Sequence, residues 1–358
     1  MDFTPTEEQE AARELTARIF GDLATHERLT AAGTGTDAEL WKALSSAGLL
    51  GAVEEIGLLG LVLLAEEQGR TTAQVPLVAS GVYGVLAVAR HGSDEQRARL
   101  LPGLRDGTTV VTGAFPADGR IHAREDGLLS GSVEWVPWLR DATHVLVPDE
   151  ERALWLVATA EASVAPVELT APWSAGRLVL DGAAGERIGG AEARAGAPAG
   201  GEAEARAGAC ADVLAAARIA FAGLQAGVCA GSLARAVAYT SVREQFGRPL
   251  ATRQAVQLRA ADAHMDTEAI RVTAYEAAWR HDQGLPAAEH ALTAAWWASE
   301  AGKRVVHTGQ HLHGGMGADL DHPVHRHFLW GRQLDAYLGC GTELLAELGD
   351  LIANGDPL

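Results

Sequence analysis

The sequence predicts an α+β protein in which an N-terminal α-helical domain, a middle antiparallel β domain and a C-terminal four-helix bundle follow one another. Helix caps and helical apolar spacing fill the first hundred residues, short β-branched runs come next, and long Ala-rich segments follow. We therefore divide the chain into residues 1–107, 108–182 and 210–358, with an Ala/Gly-rich linker at 183–209.

The N-terminal segment carries signals for helix starts. In "TPTEEQEAARELTARIF", Thr4 is the predicted N-cap and Glu7 its partner in a capping box. Asp37 is the predicted cap of "DAELWKALSSAGLLG", and Ser93 with Gln96 forms a second capping box in "GSDEQRARLLPGL". Capped helices with apolar stripes indicate a helical domain.

The middle segment is built from short runs separated by Gly, Pro and Asp: "TTVVTGAF", "GLLSGSVEWV", "ATHVLVPDEERALWLVAT", "ASVAPVEL" and "GRLVLDG". Alternating, β-branched runs of this length are typical of antiparallel strands, and "PDEE" is typical of a hairpin turn. Residues 183–209 are nearly all Ala, Gly, Glu and Arg. That composition indicates a mobile linker, although it also permits a helix in the second half of the segment.

The C-terminal segment predicts long helices over 210–245, 251–283 and 287–311, with a last helix after Leu334. Small residues dominate "AAARIAFAGLQAGVCAG", so these helices can approach one another closely. Long helices joined by short turns favour a bundle of antiparallel neighbours.

Composition excludes several classes of protein. The chain has 358 residues, 47 acidic against 29 basic, and a formal net charge of -18, which disfavours a nucleic-acid partner. Three widely spaced cysteines do not make a disulfide framework, so a reducing cytoplasm is the expected location. The N-terminus has no signal-peptide pattern, and the longest apolar run is far shorter than the ~18 residues of a membrane span.

Six of the thirteen histidines lie in "HTGQHLHGGMGADLDHPVHRH", residues 307–327. A metal site is one interpretation, because His307 and His311 have i, i+4 spacing and three further histidines follow a turn. The segment lacks the HExxH pattern and is interrupted by glycines, so we expect no metal. Glycines instead allow backbone amides to approach a bound group closely.

Three stretches carry a family resemblance: "GSDEQRARLLPGLRDGTTVVTGAF", "TSVREQFGRPLATRQAVQLRAAD" and "QHLHGGMGADLDHPVHRHF". Together with the α–β–α order they resemble the flavin-dependent acyl-CoA dehydrogenases over essentially the whole chain. The resemblance implies that the last two stretches hold the ADP half of FAD across a subunit boundary. By position, the implied FAD-binding residues are Arg243, Phe246, Leu250, Gln254, His311, Gly314, Gly315 and Gly317.

Within this set the resemblance gives each group a role. Arg243 would meet the pyrophosphate, since arginine donates charge-assisted hydrogen bonds to phosphate oxygens. Phe246, Leu250 and Gln254 would line the adenine side. His311 stands where the family usually has Gln. Of the other histidines, His313 is expected to pack in the interior, whereas His325 and His327 are expected at the surface or in a subunit contact.

The catalytic base of the family is missing from its usual places. Family members use a Glu to take the α-proton of an acyl thioester while a hydride leaves the β-carbon for the flavin. The corresponding stretch here is "AYLGCGTELL", which puts Leu338 or Cys340 at that position. A second family location, just before Arg218, holds Ala217. Glu343 is the remaining candidate, although its later position turns it roughly 200° around a helix.

The flavin contacts of the family are also altered. "GAFPADGRIHARED" lacks the Thr-Glu and Gly-Ser residues that meet the flavin in relatives. In "SVEWVPWLRD", Trp135 is kept, while Pro137 replaces a hydroxyl residue and Trp138 replaces an Asn. The ADP-binding residues, which a subunit gives to its neighbour, are thus present, and the residues of the chain's own site are not.

This split indicates one subunit of a heteromeric oxidoreductase, active only together with a partner that supplies the Glu. "ADAHMDTEAIRVTAYEAAW" resembles the α2β2 actinobacterial enzymes that dehydrogenate steroid side-chain CoA thioesters. The resemblance implies an acyl-CoA substrate, FAD, a second dehydrogenase-like subunit and electron-transfer flavoprotein as acceptor. Two alternatives stay open: a homomeric acyl-CoA or acyl-carrier-protein dehydrogenase with an unrecognised base, and an inactive scaffold on the same fold.

Overall fold

The computed structural model describes residues 2–115, 120–189 and 202–354. Helices come first, strands follow and helices return, which confirms the predicted fold class. By internal packing the chain forms two compact units. We call them the bundle unit (Met1–Arg28, Val62–Ala73 and Arg218–Leu358) and the sheet unit (Leu29–Leu61 and Gln74–Ala217).

The N-terminal helices are α1 (Glu7–Leu23), α2 (His26–Ala32), α3 (Ala38–Ser46), α4 (Leu49–Thr71), α5 (Leu77–Ala79), α6 (Ala87–His91) and α7 (Asp94–Asp106), with a π-helical segment at Ser80–Leu86. The predicted caps Asp37 and Ser93 are confirmed. The predicted cap Thr4 is wrong. The N-cap of α1 is Thr6, which lies two residues after Thr4 and forms a capping box with Gln9.

The strands are β1 (Val111–Gly113), β2 (Ile121–Ala123), β3 (Leu128–Val136), β4 (His144–Pro148), β5 (Leu154–Ala158), β6 (Ser163–Pro166) and β7 (Gly176–Ile188). They form one sheet in the order β1-β4-β5-β7-β3-β2, with β6 also paired to β7. The prediction of a purely antiparallel sheet is wrong for one pair of strands, β1 and β4, which are parallel. The strands β2 and β3 lie between them in the sequence, so no hairpin turn joins β1 to β4. Asp149 closes the predicted turn between β4 and β5.

The segment predicted as a linker, 183–209, differs at both ends. Its first residues complete β7, where Ile188 pairs with Leu154 and Ala184 pairs with Leu128. Its last residues belong to α8, the long helix that begins at Glu202. Residues 190–201 lie outside the described residues.

The C-terminal helices are α8 (Glu202–Val242), α9 (Gln254–Asp282), α10 (Ala288–His313), α11 (Val324–Ala336) and α12 (Gly341–Asn354); a hairpin of β8 (Glu244–Gln245) and β9 (Arg248–Pro249) follows α8, and a 3₁₀ turn (Gly314–Ala318) follows α10. The single helix predicted after Leu334 is in fact the end of α11 followed by α12.

Helices α8 and α10 pack through glycines of α10. A side chain at Gly302 would collide with Gln225, and one at Gly309 would collide with Ser232. Residue numbers rise in the same direction along both helices, from Gln225 to Ser232 and from Gly302 to Gly309. Helices α8 and α10 therefore run parallel, and their C-terminal ends lie at the same end of the bundle.

Residues 208–242 of α8 have the length and hydropathy of a membrane span, and 78% of the most apolar window is buried inside the protein. Burial to this degree is typical of the core helix of a folded domain, where other helices cover the apolar side chains.

Candidate nucleotide site at the end of the bundle

A ring contact joins the ends of α8 and α10. Tyr239, in the last turn of α8, stacks on His313, the last residue of α10, with centroids 4.8 Å apart. Arg243 follows Tyr239 by one turn, and Gly314 follows His313 directly. The structure therefore brings together the two motifs that lie about seventy positions apart in the sequence. Sequence reasoning missed Tyr239, whose position one turn before Arg243 was the available signal.

Arg243 leaves the helix with its backbone fixed and its side chain exposed. Its N–H donates to the carbonyl of Tyr239 at 2.9 Å, and its carbonyl accepts from the N–H of Leu250 at 2.8 Å. The guanidinium makes no hydrogen bond or ion pair with any residue that the structure describes. A solvent-exposed guanidinium on a fixed backbone is suited to an anionic ligand.

The hairpin after Arg243 displays an aromatic ring. Phe246 and Gly247 form its turn with φ of +56° and +75°, as a type I′ turn requires. The Phe246 side chain is 91% exposed, and the guanidinium of Arg253 lies 5.0 Å from the centre of its ring. Leu250 is half-buried and Gln254 is exposed at the start of α9. One face of the Phe246 ring is covered, so a planar ligand would use the other.

The three predicted glycines differ in their surroundings. Gly314 has φ +63° and ψ -140°, and a Cβ at Gly314 or Gly315 would meet nothing within 4 Å. Both are exposed, so a ligand can approach their backbone. Gly317 is buried, and a Cβ there would lie 2.5 Å from the carbonyl oxygen of Gln310. Glycine at 317 therefore allows the loop to close on α10.

Two histidines of the 307–327 segment are buried. His313 is 4% exposed, and its Nδ1 lies 2.7 Å from the carbonyl of Gly309, so it packs as predicted. His327 is 1% exposed, and its Nε2 lies 2.9 Å from the carbonyl of Arg70. The prediction that His327 lies at the surface is wrong, because Gly231 leaves room for the ring between α8 and α4. Burial lowers the pKa of His327 to about 4.

The other histidines of this segment have separate environments. His307 meets the ring of Phe328 edge-on, with centroids 4.9 Å apart, and His311 is exposed in the last turn of α10. His325 is half-buried, with its Nδ1 2.6 Å from the carbonyl of His322. Across the described part of the chain, no three His, Cys, Asp or Glu side chains are placed to hold a metal ion.

Leu338, one of the two residues that the resemblance places at the position of the family base, is buried and apolar. Leu338 is 3% exposed and has φ +66°, and its carbonyl accepts from Nε of Arg218 at 3.4 Å. The preceding Tyr337 is buried edge-on against Phe221, with centroids 4.7 Å apart. Ala217 is fully buried. An alkyl side chain cannot accept a proton, so neither Leu338 nor Ala217 can act as a base. Cys340, the other residue at the first location, is half-buried, with its Sγ 3.3 Å from Oγ1 of Thr342.

Glu343 has a structural role as a helix cap. Its Oε2 accepts the backbone N–H of Cys340 at 2.9 Å, just before α12 begins. This hydrogen bond lowers the pKa of the Glu343 carboxyl below its ordinary value. A general base gains from a raised pKa and from a position inside a site, whereas Glu343 is exposed and held by its own backbone.

In the sheet unit, aromatic rings fill the positions where the resemblance places flavin contacts. Phe115 stacks on Tyr83 with centroids 5.3 Å apart, and Trp138 stacks on Trp173 with centroids 6.1 Å apart. All four side chains are buried. The hydroxyl of Thr112 donates to the carbonyl of Pro137 at 2.6 Å. Residues 116–119 of this stretch lie outside the described residues.

The two regions differ in their fit to FAD. The end of the bundle offers two exposed glycines, an exposed ring and the Arg243 guanidinium, which has no partner among the described residues; these groups fit the pyrophosphate and adenine of the ADP half. The corresponding positions of the sheet unit carry buried rings, Phe115 and Trp138, instead of the hydroxyl and amide groups that the resemblance places beside the isoalloxazine ring system.

Domain models match both ends of the chain: the acyl-CoA dehydrogenase N-terminal domain over residues 6–108 and the acyl-CoA dehydrogenase C-terminal domain over residues 208–347. Acyl-CoA dehydrogenase FadE27 of Mycobacterium tuberculosis is 34% identical over 385 residues, with 99% of each chain covered. FadE28 of the same organism is 28% identical, with 98% of each chain covered.

Solved structures with similar backbones include one steroid ACAD, a two-chain complex and a butyryl-CoA dehydrogenase. The Tcur3481-Tcur3483 steroid ACAD is 40% identical with a TM-score of 0.87 over 98% of each chain. The ChsE4-ChsE5 complex from Mycobacterium tuberculosis is 31% identical with a TM-score of 0.88 over 100% of each chain. Butyryl-CoA dehydrogenase from Megasphaera elsdenii is 22% identical, and its TM-score of 0.84 over 99% of this chain and 100% of that one shows the shared fold.

Proposed function

Because the chain belongs to the acyl-CoA dehydrogenase family, whose members are FAD-binding oxidoreductases, we propose that it is one of two non-identical subunits of such an enzyme. The reaction is the α,β-dehydrogenation of an acyl-CoA thioester. This chain contributes the grip on the ADP half of FAD, and the partner subunit holds the rest of the cofactor and supplies the catalytic Glu.

The assignment of these roles to two subunits rests mainly on a contrast between the ADP-binding residues and the residues of the chain's own site. Arg243 and the exposed Gly314 and Gly315 would form an open nucleotide grip, whereas the buried Trp138 stands where the resemblance places an Asn beside the flavin. Leu338 or Cys340 stands at the base position, and neither is a carboxylate. A chain with an open grip but without the flavin contacts and the base of its own site is suited to serve a neighbour's cofactor.

The residues of this chain would bind and orient the cofactor. FAD, when bound, supplies the hydride acceptor of the reaction. The Arg243 guanidinium would donate hydrogen bonds to the pyrophosphate, and the N–H groups of Gly314 and Gly315 would face the same phosphates. The exposed ring of Phe246 would pack on the adenine. The hydrogen bonds from Arg243 to phosphate would not depend on the acyl substrate. This grip would therefore hold the cofactor in place and take no part in the proton transfer.

Steroid side-chain CoA thioesters are the substrate class that we propose. The printed name of one similar structure is a steroid ACAD, at 40% identity over nearly the whole of both chains. Another is a complex of two differently named chains, which supports a two-subunit enzyme of the α2β2 kind. Degradation of steroid side chains by β-oxidation in the cytoplasm, with electron-transfer flavoprotein as acceptor, completes the proposal.

Expression with and without a partner tests the proposal. The chain would be produced alone and together with a dehydrogenase-like partner chain that carries the missing Glu, and flavin absorbance, mass and acyl-CoA-dependent dye reduction would be measured. We expect a colourless protein alone and a yellow, active complex. A yellow lone chain that is bleached by an acyl-CoA would instead support the homomeric alternative, and a complex without flavin would support the inactive scaffold.

A further inference from the structure

His322 connects the glycine turn, Gly314–Ala318, to the start of α11. Between them, the N–H of Asp319 donates to the carbonyl of Met316 at 3.2 Å, and the N–H of His322 donates to the carbonyl of Asp319 at 3.1 Å. The carbonyl of His322 accepts hydrogen bonds from the N–H of His325 at 3.3 Å and from its ring Nδ1 at 2.6 Å. Successive turns therefore run from the glycine turn to the first turn of α11, and His322 is the residue that joins them to the helix.

The ring of His322 also caps this helix. Its Nδ1 accepts the N–H of Val324, the first residue of α11, at 3.3 Å. The first N–H groups of a helix have no acceptor within the helix, so a side chain that accepts one of them stabilises the helix start. Pro323, which lies between the two residues, has no N–H of its own. His322 is thus bound to α11 through its ring as well as through its backbone.

Only the neutral ring of His322 can make the hydrogen bond to Val324. An imidazole nitrogen accepts a hydrogen bond when it carries no proton, whereas both nitrogens of the imidazolium ion are donors. Protonation of Nδ1 would therefore break the cap. It would also place a positive charge at the N-terminal end of α11, where the helix dipole already has its positive end. Both effects disfavour the charged form of His322 while the cap is in place.

The charged and titratable groups around His322 come from four further segments and are mostly basic. The ring of His313, at the end of α10, lies 4.9 Å from the His322 ring between centroids. Arg235 of α8 and His26 of α2 act on the ring with the same sign of charge, and Asp319 of the loop opposes them. Burial, together with His313 and Arg235, holds the pKa of His322 below its ordinary value of 6.5. The surroundings therefore favour the neutral ring that the cap requires.

The same rings connect the cap to the proposed nucleotide site. His313 contacts the rings of both Tyr239 and His322, with centroids 4.8 and 4.9 Å apart. Gly314 follows His313 directly, so the exposed glycines lie in the sequence between the end of α10 and the turns that lead to His322. Loss of the cap would release the C-terminal side of the glycine turn. The N–H groups of Gly314 and Gly315 would then no longer be held in one orientation.

We propose that His322 is a positioning residue for the nucleotide site: its neutral ring holds the glycine turn in place for the phosphates of FAD, and its protonation releases the turn. FAD is therefore held tightly above pH ~6.5 and progressively less tightly as the pH falls below that value. The effect on FAD rests on the proposed function, whereas the pH-dependent hold on the glycine turn is a property of this chain alone.

The pH dependence of FAD binding tests this role in the co-expressed complex. We expect the Kd for FAD to rise as the pH falls from ~8 to ~5.5, by up to about tenfold per pH unit below the pKa of His322, since one proton competes with the cofactor. His322→Asn supplies an amide oxygen that accepts the N–H of Val324 at every pH, so this dependence should be lost and the Kd at pH ~8 should change less than about twofold. His264→Asn is the matched control, because His264 is exposed on α9, and it should keep the unaltered profile.

A second variant and a second measurement separate the possible outcomes. His322→Leu offers no acceptor, so we expect the Kd at pH ~8 to rise about fivefold. An H322N complex that keeps the full pH dependence, or an H322L complex with the unaltered Kd, would overturn the proposal. If H322L does not fold, H322N alone decides.

Hydrogen exchange of residues 314–324 tests the hold on the glycine turn without FAD. Protection should fall with pH more in the unaltered chain than in H322N, and an equal fall in both would overturn the proposal. A complex that binds no FAD but shows this difference in protection would mean that the proposed function fails and that the hold of His322 on the turn stands.

Discussion

The ring of His313 lies on the ring of Tyr239, with planes inclined by 21° and centroids 4.8 Å apart. The contact is also the point where the helix that precedes Arg243 meets the helix that precedes Gly314. This aromatic pair therefore joins the two segments that carry the proposed nucleotide site.

Replacement of Tyr239 by Leu should loosen the grip without removing any group that contacts FAD. Because the stacked pair is worth ~1 kcal/mol beyond its buried area, we expect FAD affinity of the complex to fall about fivefold. Flavin titration measures the affinity. His307→Leu, which removes another ring of α10 that packs edge-on, is the control. Equal losses in both variants would contradict a positioning role for Tyr239.

Replacement of Arg243 by Ala should weaken FAD binding directly. A hydrogen bond to a charged group contributes ~1.5–3 kcal/mol, so we expect the Kd for FAD to rise roughly 10- to 100-fold. Arg248→Ala is the matched control, since Arg248 is also exposed and lies in the same hairpin. Unchanged flavin content in the R243A complex would mean that the grip has no function and would favour the scaffold alternative.

Replacement of Trp138 by Ala should affect stability and leave flavin content unchanged. Removal of a buried Trp costs ~3–5 kcal/mol of unfolding free energy, because it leaves a cavity beside Trp173. Urea unfolding of the chain gives the free energy, and absorbance of the complex gives the flavin content. A loss of flavin with no loss of stability would show that Trp138 contacts a cofactor after all.

His327 should make stability depend on pH. Burial lowers its folded pKa to about 4 from an ordinary 6.5, so the unfolded chain binds a proton first as pH falls. The stabilisation is complete above pH ~6.5 and is lost progressively toward pH ~4, by roughly 2 kcal/mol between pH 7 and pH 5. Unfolding free energies at both pH values check this. His327→Gln should show a smaller difference, and an identical difference would assign the effect to other groups.

Replacement of Glu343 by Gln should leave the chemistry intact. The amide oxygen of Gln can still accept the N–H of Cys340, so we expect kcat of the complex to change less than twofold and stability by ~0.5 kcal/mol. The kcat from acyl-CoA-dependent dye reduction decides between the roles. A fall of two orders of magnitude or more would identify Glu343 as the missing base and would favour the homomeric enzyme.

The elements that the sequence predicted best depend on local chemistry. The Ser93 capping box and the Asp37 cap each use a side chain and a backbone group within three residues, so the pattern alone determines them. The prediction of Thr4 as the cap was wrong because the same local pattern also fits Thr6, two residues later, which pairs with Gln9. Strand direction depends on distant chain returns, which is why the parallel β1–β4 pair was missed.

The candidate site likewise combines residues that a local motif predicts with contacts that only the folded chain creates. Arg243 and the glycines could be named from a motif, although their role as FAD-binding residues stays a prediction. The rings of Tyr83 and Trp173 could not be connected to Phe115 and Trp138, because only the folded chain brings them together across long separations in sequence. Burial of His327 depends on the space that Gly231 leaves on another helix, and no local pattern reports it.

The parallel course of α8 and α10 restricts how this chain can change in length. One residue inserted into α10 between Gly309 and His313 would turn Gly314 by ~100° and move it by ~1.5 Å, away from the end of α8. Insertions and deletions among related chains should therefore be excluded from the last two turns of α10.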